Sequence, residues 1–517
     1  MKILVPLINA HVGCFDNNVQ ELRETLVRAS NRHQLDDSLI VLHPYALSGA
    51  EPHAEAEHPQ FQLGIQRQLE SLESVRRDSQ RLLTMYSREQ QWIIHFRDST
   101  QEMQCPLKNG DLYVTMEQEK LVVTTDTLLK SILEDDNALI YSNFIWVVFL
   151  LDAYSRETVQ RRRELLERLQ QKVHAPVILI GAVGVANDRV HAGDTALFLP
   201  NTTDYGFALE SQYALIDLFQ EAITWEIDRQ QVYFIQPDIE KEHAIILFAI
   251  RDFITKSGFS RVHLGLSGGV DSSLVAALVT QAIGANNVVG ILMPSPYSSQ
   301  HSITDALELA KNLNIETHMI SLDDIYYSLK ILLNKDFAIS NLADENMQAR
   351  LRGLYLMTYA NSTNSFLLTT GNKSEIACGY GTLYGDMCGS YNPIGDLYKT
   401  EVYDLCRYIN HQAGCNMIPE HVLTKAPSAE LRMGQFDQET LPEYTRLDRI
   451  IELLLQNKYT HEQVASHSET TIEEVLHVAN LLRKSEFKRW QAPPVLKLRD
   501  THLGSSRGGV LLSTFKG

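Results

Sequence analysis

The sequence predicts an α/β protein of two domains, a layered α/β domain over residues 1–232 and a doubly wound, parallel-sheet domain over residues 233–517. Three observations predict it. Apolar, strand-like runs alternate with amphipathic, helix-like runs along both halves. Between residues 261 and 322 the succession is strand, helix, strand, helix, strand, at lengths that parallel pairing requires. Between the first strand and first helix of that succession lies LGLSGGVDSS (264–273), a glycine-rich turn where open α/β sheets bind ligands. A chain of 517 residues is long enough for two or three cores.

The elements follow in order. KILVPLI (2–8) and SLIVLHP (38–44) are apolar enough for buried strands, with a helix of 3.6-residue spacing between them over 18–33. ALIYSNFIWVV (138–148) and APVILIGAVG (175–184) are two further strands, separated by a charged amphipathic helix at 157–173. VYFIQPDIEKEHA (232–244), with its proline and charge cluster, reads as a linker. A helix follows at 243–258, ended by Gly258. RVHLGLS is then a strand, and SSLVAALVTQAIG a helix with one apolar stripe of Leu274, Val275, Leu278, Val279 and Ala282. NVVGILMP, ITDALELAKNLN and ETHMISL continue as strand, helix and strand. No internal repeat or low-complexity tract interrupts the chain.

Composition narrows the partners. With 44% apolar and 21% charged residues, the chain is ordinary for a soluble protein. A formal net charge of -18 opposes nucleic acid as the main partner, because phosphate backbones reward basic surfaces. It leaves room for a small anion held by a few local cations. The six cysteines, Cys14, Cys105, Cys378, Cys388, Cys406 and Cys415, show no CxxC pair or metal-finger spacing and read as thiols in a reducing compartment. MKILVPLINAHVG is interrupted too soon for a signal peptide, and no run of 18 apolar residues exists. The expectation is a cytoplasmic protein with neither nucleic acid nor membrane as partner.

The opening turn carries chemistry. Gly268 and Gly269 allow a tight turn and close approach of backbone to an anion. The N–H groups of the turn and the helix N-terminus supply partial positive charge, and Ser267, Ser272 and Ser273 supply hydroxyls. The GxxxxGK[ST] loop would place a lysine here; this chain places Asp271. A carboxylate beside a polyphosphate needs a cation between them, and Mg2+ held by one or two carboxylates and the phosphates meets that need.

SGGVDSS resembles the pyrophosphate loop of the N-type ATP pyrophosphatases, enzymes that cleave ATP between the α- and β-phosphates and adenylate a substrate oxygen. The motifs that follow are MPSPYSS (293–299), ENMQARLRG (345–353), LLTTGNKSEIACGYGTLYGDM (367–387), NPIGDLYKTEVYDL (392–405), KAPSAELRMGQFDQETLPEY (425–444) and FKRWQAPP (487–494). Together and in this order they resemble the synthetase domain of the NAD synthetases over roughly residues 240–510. The resemblance implies that ATP, the cosubstrate, is wrapped by Gly265, Leu266, Ser267, Gly268, Gly269, Val270, Asp271 and Ser272, and is contacted by Thr370, Lys399 and Ser428. It implies Asp271, Glu375 and Lys399 as the catalytic set, with Asp271 and Glu375 as the Mg2+ ligands; Glu375 can instead bond the sugar of the acid substrate. Asn346, Arg350, Glu375, Asp386 and Lys488 are then the residues for deamido-NAD (nicotinic acid adenine dinucleotide). Asn346 and Arg350 are four apart on a helix whose other face is Met347, Leu351, Leu354 and Tyr355, so they point the same way. The implied reaction converts the nicotinate carboxylate to an acyl-adenylate, which ammonia attacks to give NAD. The family further implies a homodimer or higher homo-oligomer.

The first half resembles the nitrilase-like amidase domain fused to the longer NAD synthetases, through LINAHVG with NNVQEL, HPYALSG, NGDLYVTMEQEKL, YSNFIW and VGVANDRVHAGDTALFLPN. That family uses a Glu–Lys–Cys triad. Here the glutamate position is Tyr45, the lysine position Gln118 (Lys120 is two residues on) and the cysteine position Ser142. A tyrosine is too weakly basic near pH 7 to serve as a general base. Neither Cys14 nor Cys105 occupies the nucleophile's place, and His43 is the alternative base for Ser142. The expectation is a catalytically inactive amidase domain beside a synthetase that uses free ammonia. A glutamine-dependent enzyme with an unorthodox nucleophile, a tRNA-thiolation enzyme of the same loop family and a non-enzymatic dinucleotide sensor remain as alternatives. The stretch from 461 to 490 has a helix-turn-helix look that packing also explains, and its acidic SETTIEE does not suit DNA.

Overall fold

The computed structural model describes residues 2–503, apart from 12–13, 36–37, 49–58, 72–80, 89–90, 98–101, 108–112, 117–120, 142–143, 152, 187–188, 193–194, 200–202, 207–211, 218–223, 228–238, 429, 433 and 440. Contacts divide it into two units, Met1–Lys241 and Glu242–Gly517. The boundary expected at 232/233 lies outside the described residues. The linker expected to run to 244 gives way at Ile239, where the helix Ile239–Lys256 begins.

The first unit is built on two mixed sheets. One has seven strands, in the order Thr224–Ile227, Gln212–Asp217, Lys2–Leu7, Leu39–Leu42, Arg81–Arg88, Gln91–Arg97, Glu102–Leu107. The other has six, in the order Thr203–Gly206, Thr195–Phe198, Val177–Ile180, Ile145–Phe149, Leu121–Thr125, Val114–Met116. Helix Phe15–Arg32 lays Val19, Leu22, Leu26 and Ala29 against Leu4, Ile40 and Leu42 of the first sheet. Helix Arg156–Val173, capped by Ser155, lays Leu166, Leu169 and Val173 against Trp146, Val148 and Leu179 of the second. The alternate strand residues Ile3, Val5, Val41, Val123, Val147 and Ile178 are equally buried. Both faces of these strands are therefore covered, one of them by a helix.

One expected strand is shorter than its apolar run. Residues Asp136–Tyr141 form 3-10 turns and only Ile145–Phe149 pairs. Asp135 accepts the Asn137 N–H and ends the preceding helix, and Leu139 and Ile140 are exposed. Apolarity alone did not reveal that the first half of the run packs only through Ala138 and Tyr141 and leaves Leu139 and Ile140 outward.

The second unit carries a four-stranded parallel sheet in the order Glu316–Met319, Val288–Leu292, Val262–Gly265, Phe366–Leu367. The chain steps outward through three strands and then returns to the opposite side of the first. That reversal makes the carboxyl ends of Val262–Gly265 and Phe366–Leu367 the switch point of the sheet, where a crevice opens. Helix Val270–Ile283 is buried almost all round, including Ser272, Ser273, Ala276 and Ala277, rather than along one apolar stripe. It is a central helix of the core, and each large apolar side chain buried there contributes about 1.5–3 kcal/mol. Helices Tyr444–Gln456, His461–His467 and Ile472–Lys484 share an apolar cluster that includes Ile451, Leu455, Val464, Val475 and Val478. Packing thus accounts for the helix-turn-helix look. No helix among the described residues is long and apolar enough to cross a membrane.

Candidate active site

A cavity of about 320 Å3 opens at the switch point of the second unit. Its floor is the turn Gly265–Ser272, joined by Thr370, Glu375, Asp386, Lys399 and Ser428. The turn's shape follows from its residues. Gly268 has φ +78°, and a Cβ there would lie 2.2 Å from the Ser302 carbonyl oxygen. Glycine is thus needed for both conformation and space. Ser272 and Ser273 turn their hydroxyls onto the Gly269 carbonyl (3.1 and 2.8 Å), and Ser267 Oγ accepts from the Gly269 N–H (3.2 Å). Helix Val270–Ile283 begins without a side-chain cap. An uncapped helix N-terminus in a cavity wall suits phosphate oxygens.

Charged groups from three elements meet beside that turn. Lys399, the first residue of helix Lys399–Ala413, reaches Asp271 Oδ2 at 2.6 Å and Glu375 Oε1 at 3.2 Å. Asn372 donates to Asp271 Oδ1 at 2.8 Å, and its side chain also caps the helix Lys373–Cys378 that holds Glu375. Burial, then the Asp271 charge, push the Glu375 carboxyl up to about 8, against the pull of Lys399. Burial opposes the Lys399 charge, yet Asp271 and Glu375 outweigh it and raise the ammonium above its ordinary value. Near neutral pH the raised Glu375 carboxyl keeps its proton, so Asp271 and Lys399 balance and Glu375 is a second carboxyl that an arriving cation could ionise.

That pair of carboxyl groups is the fit test for a divalent cation. Among the described residues no group of three or more His, Cys, Asp or Glu is placed to hold a metal. The Asp271–Glu375 pair offers two hard oxygen donors, the small protein share that Mg2+ takes when phosphates and waters complete its octahedron. The residues present fit the ion.

Asn346, Arg350 and Lys488 do not line the cavity. Each is bonded to a loop that does. Asn346 Oδ1 accepts from the Thr382 hydroxyl (2.7 Å), Arg350 Nε donates to the Leu383 carbonyl (3.3 Å), and Lys488 Nζ donates to the Gly379 and Gly381 carbonyls (2.8 and 2.7 Å). Asp386 closes the same loop by accepting from the Thr382 N–H (2.6 Å), and burial raises its carboxyl. Leu354, expected on the buried face of the Asn346 helix, is 61% exposed. That helix, Asn341–Thr363, buries Met347 and Leu351 but turns Leu354 outward.

Three residues at the site were missed. Arg352 lines the cavity, largely enclosed, with Nε on the Met293 carbonyl at 3.2 Å. Lys425 lines it beside Ser428 and pairs with Glu430 at 3.0 Å. Asn372 orients Asp271. All three fall inside motifs already singled out, so the signal was present but lacked a partner to give it meaning.

In the first unit, Gln118 and Ser142 lie outside the described residues. Tyr45 is buried, its ring edge-on to His43 and His191 at 5.1 and 5.6 Å. His43 Nε2 donates to the Leu150 carbonyl (2.6 Å), and Nδ1 accepts the Tyr45 N–H (3.1 Å). These partners require the neutral ring, and burial lowers its pKa to about 3. With its lone pair engaged by Tyr45, His43 is a structural histidine rather than a base for Ser142. Cys14 is exposed just before helix Phe15–Arg32, and Cys105 falls in strand Glu102–Leu107.

Fold and site together define an α/β protein with a glycine-rich, helix-opening turn in a cavity at the switch point of a parallel sheet. The NAD synthase family model matches residues 243–492. A glutamine-dependent NAD(+) synthetase of Synechocystis is 42% identical over 66% of this chain and 62% of that protein. One of Thermotoga maritima is 45% identical over 54% of this chain and 48% of that protein. The chain thus spans about half to two thirds of the length of these curated relatives. Two solved glutamine-dependent NAD+ synthetases share the fold across both units. That of Acinetobacter baumannii, in complex with ADP, has a TM-score of 0.71 at 23% identity and covers 98% of this chain and 99% of its own. That of Cytophaga hutchinsonii has a TM-score of 0.76 at 14% identity and covers 99% and 98%. Residues 243–492 thus belong to the NAD synthase family, and across both units the chain has the fold of the two-domain NAD+ synthetases.

Proposed function

We propose that the second unit amidates deamido-NAD at the expense of ATP. The nicotinate carboxylate attacks the α-phosphorus, pyrophosphate leaves, and a nitrogen nucleophile displaces AMP from the acyl-adenylate to give NAD. The observation that carries this reading is the meeting of Gly265–Ser272, Asp271, Glu375 and Lys399 in one cavity of a chain from this family. The turn and helix N-terminus hold phosphate oxygens. Lys399, its ammonium secured by two carboxylates, stabilises charge that grows on the phosphates. Mg2+ held by Asp271 and Glu375 would supply Lewis-acid polarisation of the phosphates. Thr370 and Ser428 enclose the nucleotide. Asn346, Arg350, Asp386 and Lys488 shape the 379–387 loop as one wall for the dinucleotide.

The relatives' description as glutamine-dependent favours glutamine as nitrogen source over the free ammonia expected from the sequence. The ammonia reading is supported by Tyr45, a buried phenol at the position that the resemblance assigns to the amidase base. The test is NAD formation from deamido-NAD and Mg·ATP with ammonium chloride or with glutamine. Nicotinic acid mononucleotide in place of the dinucleotide checks the acid substrate. Turnover with ammonium alone supports an inert first unit, equal turnover with glutamine removes it, and no NAD from either removes the synthetase reading.

The likeness to the family also supports a homodimer. Ile325, Tyr327, Ile331 and Leu332 on helix Asp323–Leu333 and Leu342 on the next helix are exposed. Such a face is costly in water and suits a second copy. Sedimentation should give a dimer that Ile331→Asp dissociates; a wild-type monomer contradicts this. A cytoplasmic location suits the five described cysteines, all free.

A further inference from the structure

We infer that Asp448 is a positioning residue for this chemistry: from outside the cavity, its carboxylate sets the Lys399-bearing helix and the Glu375-bearing loop in register. The inference rests on the function proposed above. Asp448 lies in helix Tyr444–Gln456, is 6% exposed and does not line the cavity. One carboxylate oxygen accepts the Ser374 hydroxyl. The other accepts the Thr400 N–H at 3.0 Å and the Thr400 hydroxyl at 2.9 Å. Ser374 Oγ in turn accepts the Lys399 N–H at 2.9 Å. The first two N–H groups of the Lys399 helix are therefore satisfied by Ser374 and Asp448, from two other parts of the chain.

The same contacts reach both signs of charge in the site. Ser374 stands between Asn372, which orients Asp271, and Glu375, which faces Lys399 Nζ. A shift of Ser374 moves both carboxylates, and a shift of Thr400 moves Lys399. Asp448 ties the two shifts together.

An aspartate suits the task because all three partners donate to it. A carboxylate only accepts, whereas the amide of an asparagine would turn an NH2 group toward one of these donors. Its negative charge also lies at the N-terminus of helix Lys399–Ala413, where the helix dipole favours it.

The test measures deamido-NAD-dependent pyrophosphate release at saturating ammonium. Asp448→Asn should lower kcat about 10- to 100-fold, the cost of misplacing reacting groups by about 1 Å. The KM for ATP should change by less than about threefold, because the phosphate turn comes from another strand. Ser374→Ala should add little to Asp448→Asn, since both act through one contact. Asp252→Asn, which breaks the Asp252–Lys256 pair elsewhere in the same unit, controls for lost stability and should keep kcat. A kcat within about twofold of wild type, effects of Asp448→Asn and Ser374→Ala that multiply, or a rise in KM alone would overturn the role. If Asp448→Asn does not fold, Thr400→Val and Ser374→Ala each remove a single hydroxyl and decide the matter. Lower kcat at steady KM in both supports the role, and unchanged kcat in both rejects it. A wild type that releases no pyrophosphate removes the synthetase reading and this role with it. An active wild type with an unaffected Asp448→Asn removes the role alone.

Discussion

Each unit buries polar side chains just past the ends of its strands, and the two sets differ in what their polarity does. In the first, His43 is neutral, with one ring nitrogen on the Leu150 carbonyl and the other on the Tyr45 N–H. In the second, Asp271 and Lys399 are enclosed as an ion pair beside Glu375, whose carboxyl is held up near 8 by burial and then by the Asp271 charge. Burial alone therefore does not mark a site. A buried group whose partners are all backbone stabilises the fold; a buried cluster of titratable groups with shifted pKa values in a cavity wall is a candidate site.

The largest expected effect breaks the charged cluster. Lys399→Met or Asp271→Asn should lower NAD formation about 100- to 1000-fold with either nitrogen source, the usual loss when a preorganised charge is removed. Retained activity would make the cluster no more chemical than the His43 pair. Next is Gly268→Ala, which places a methyl group against the Ser302 carbonyl in a left-handed backbone. Strain of about 1–3 kcal/mol should raise the ATP dissociation constant about tenfold or more by calorimetry, and unchanged affinity would mean that ATP binds elsewhere.

In the first unit, Tyr45→Phe keeps the ring contacts and removes the hydroxyl. The ammonium-driven rate should stay within about twofold. A fall confined to the glutamine-driven rate would make Tyr45 a working part of an amidase.

The smallest effect concerns pH. His43 and His263 are both held below the ordinary histidine value, chiefly by burial, to about 3 and about 4. Between about 6.5 and those values the unfolded chain binds more protons than the folded one. Stability should therefore fall on acidification below about 6.5, by up to about 1.4 kcal/mol per pH unit for each group. Thermal unfolding at pH 7 and pH 5 checks this. His43→Gln and His263→Gln should each flatten the acid limb, and an unchanged slope would mean that neither ring is held neutral.

Much of this was legible in the chain. The turn 264–273, its flanking strand and helix, and the order of the later motifs all carry local signals: an apolar run, two glycines, hydroxyls at a helix start. Other features had no local signal. Leu354 fits the apolar spacing of its helix and is nonetheless exposed, because spacing does not say which neighbour arrives. Leu139 and Ile140 belong to an apolar run whose first half forms 3-10 turns before its second half joins the sheet. Lys425, Arg352 and Asn372 stood in plain view as polar residues without stated partners.

The order of elements, the glycine-rich turn and the residue types suited to phosphate and metal chemistry are properties of short segments, and the linear chain specifies them through periodicity, glycine conformation and charge. The pairing of Lys399 with Asp271, 128 residues away, is not such a property. Nor is the reach of Asp448 to Ser374, or the closure of both histidine nitrogens in the first unit. These depend on which strand ends meet and on how much water is excluded there. Charge becomes chemistry only at distances of a few ångströms and in low dielectric, and folding alone supplies both.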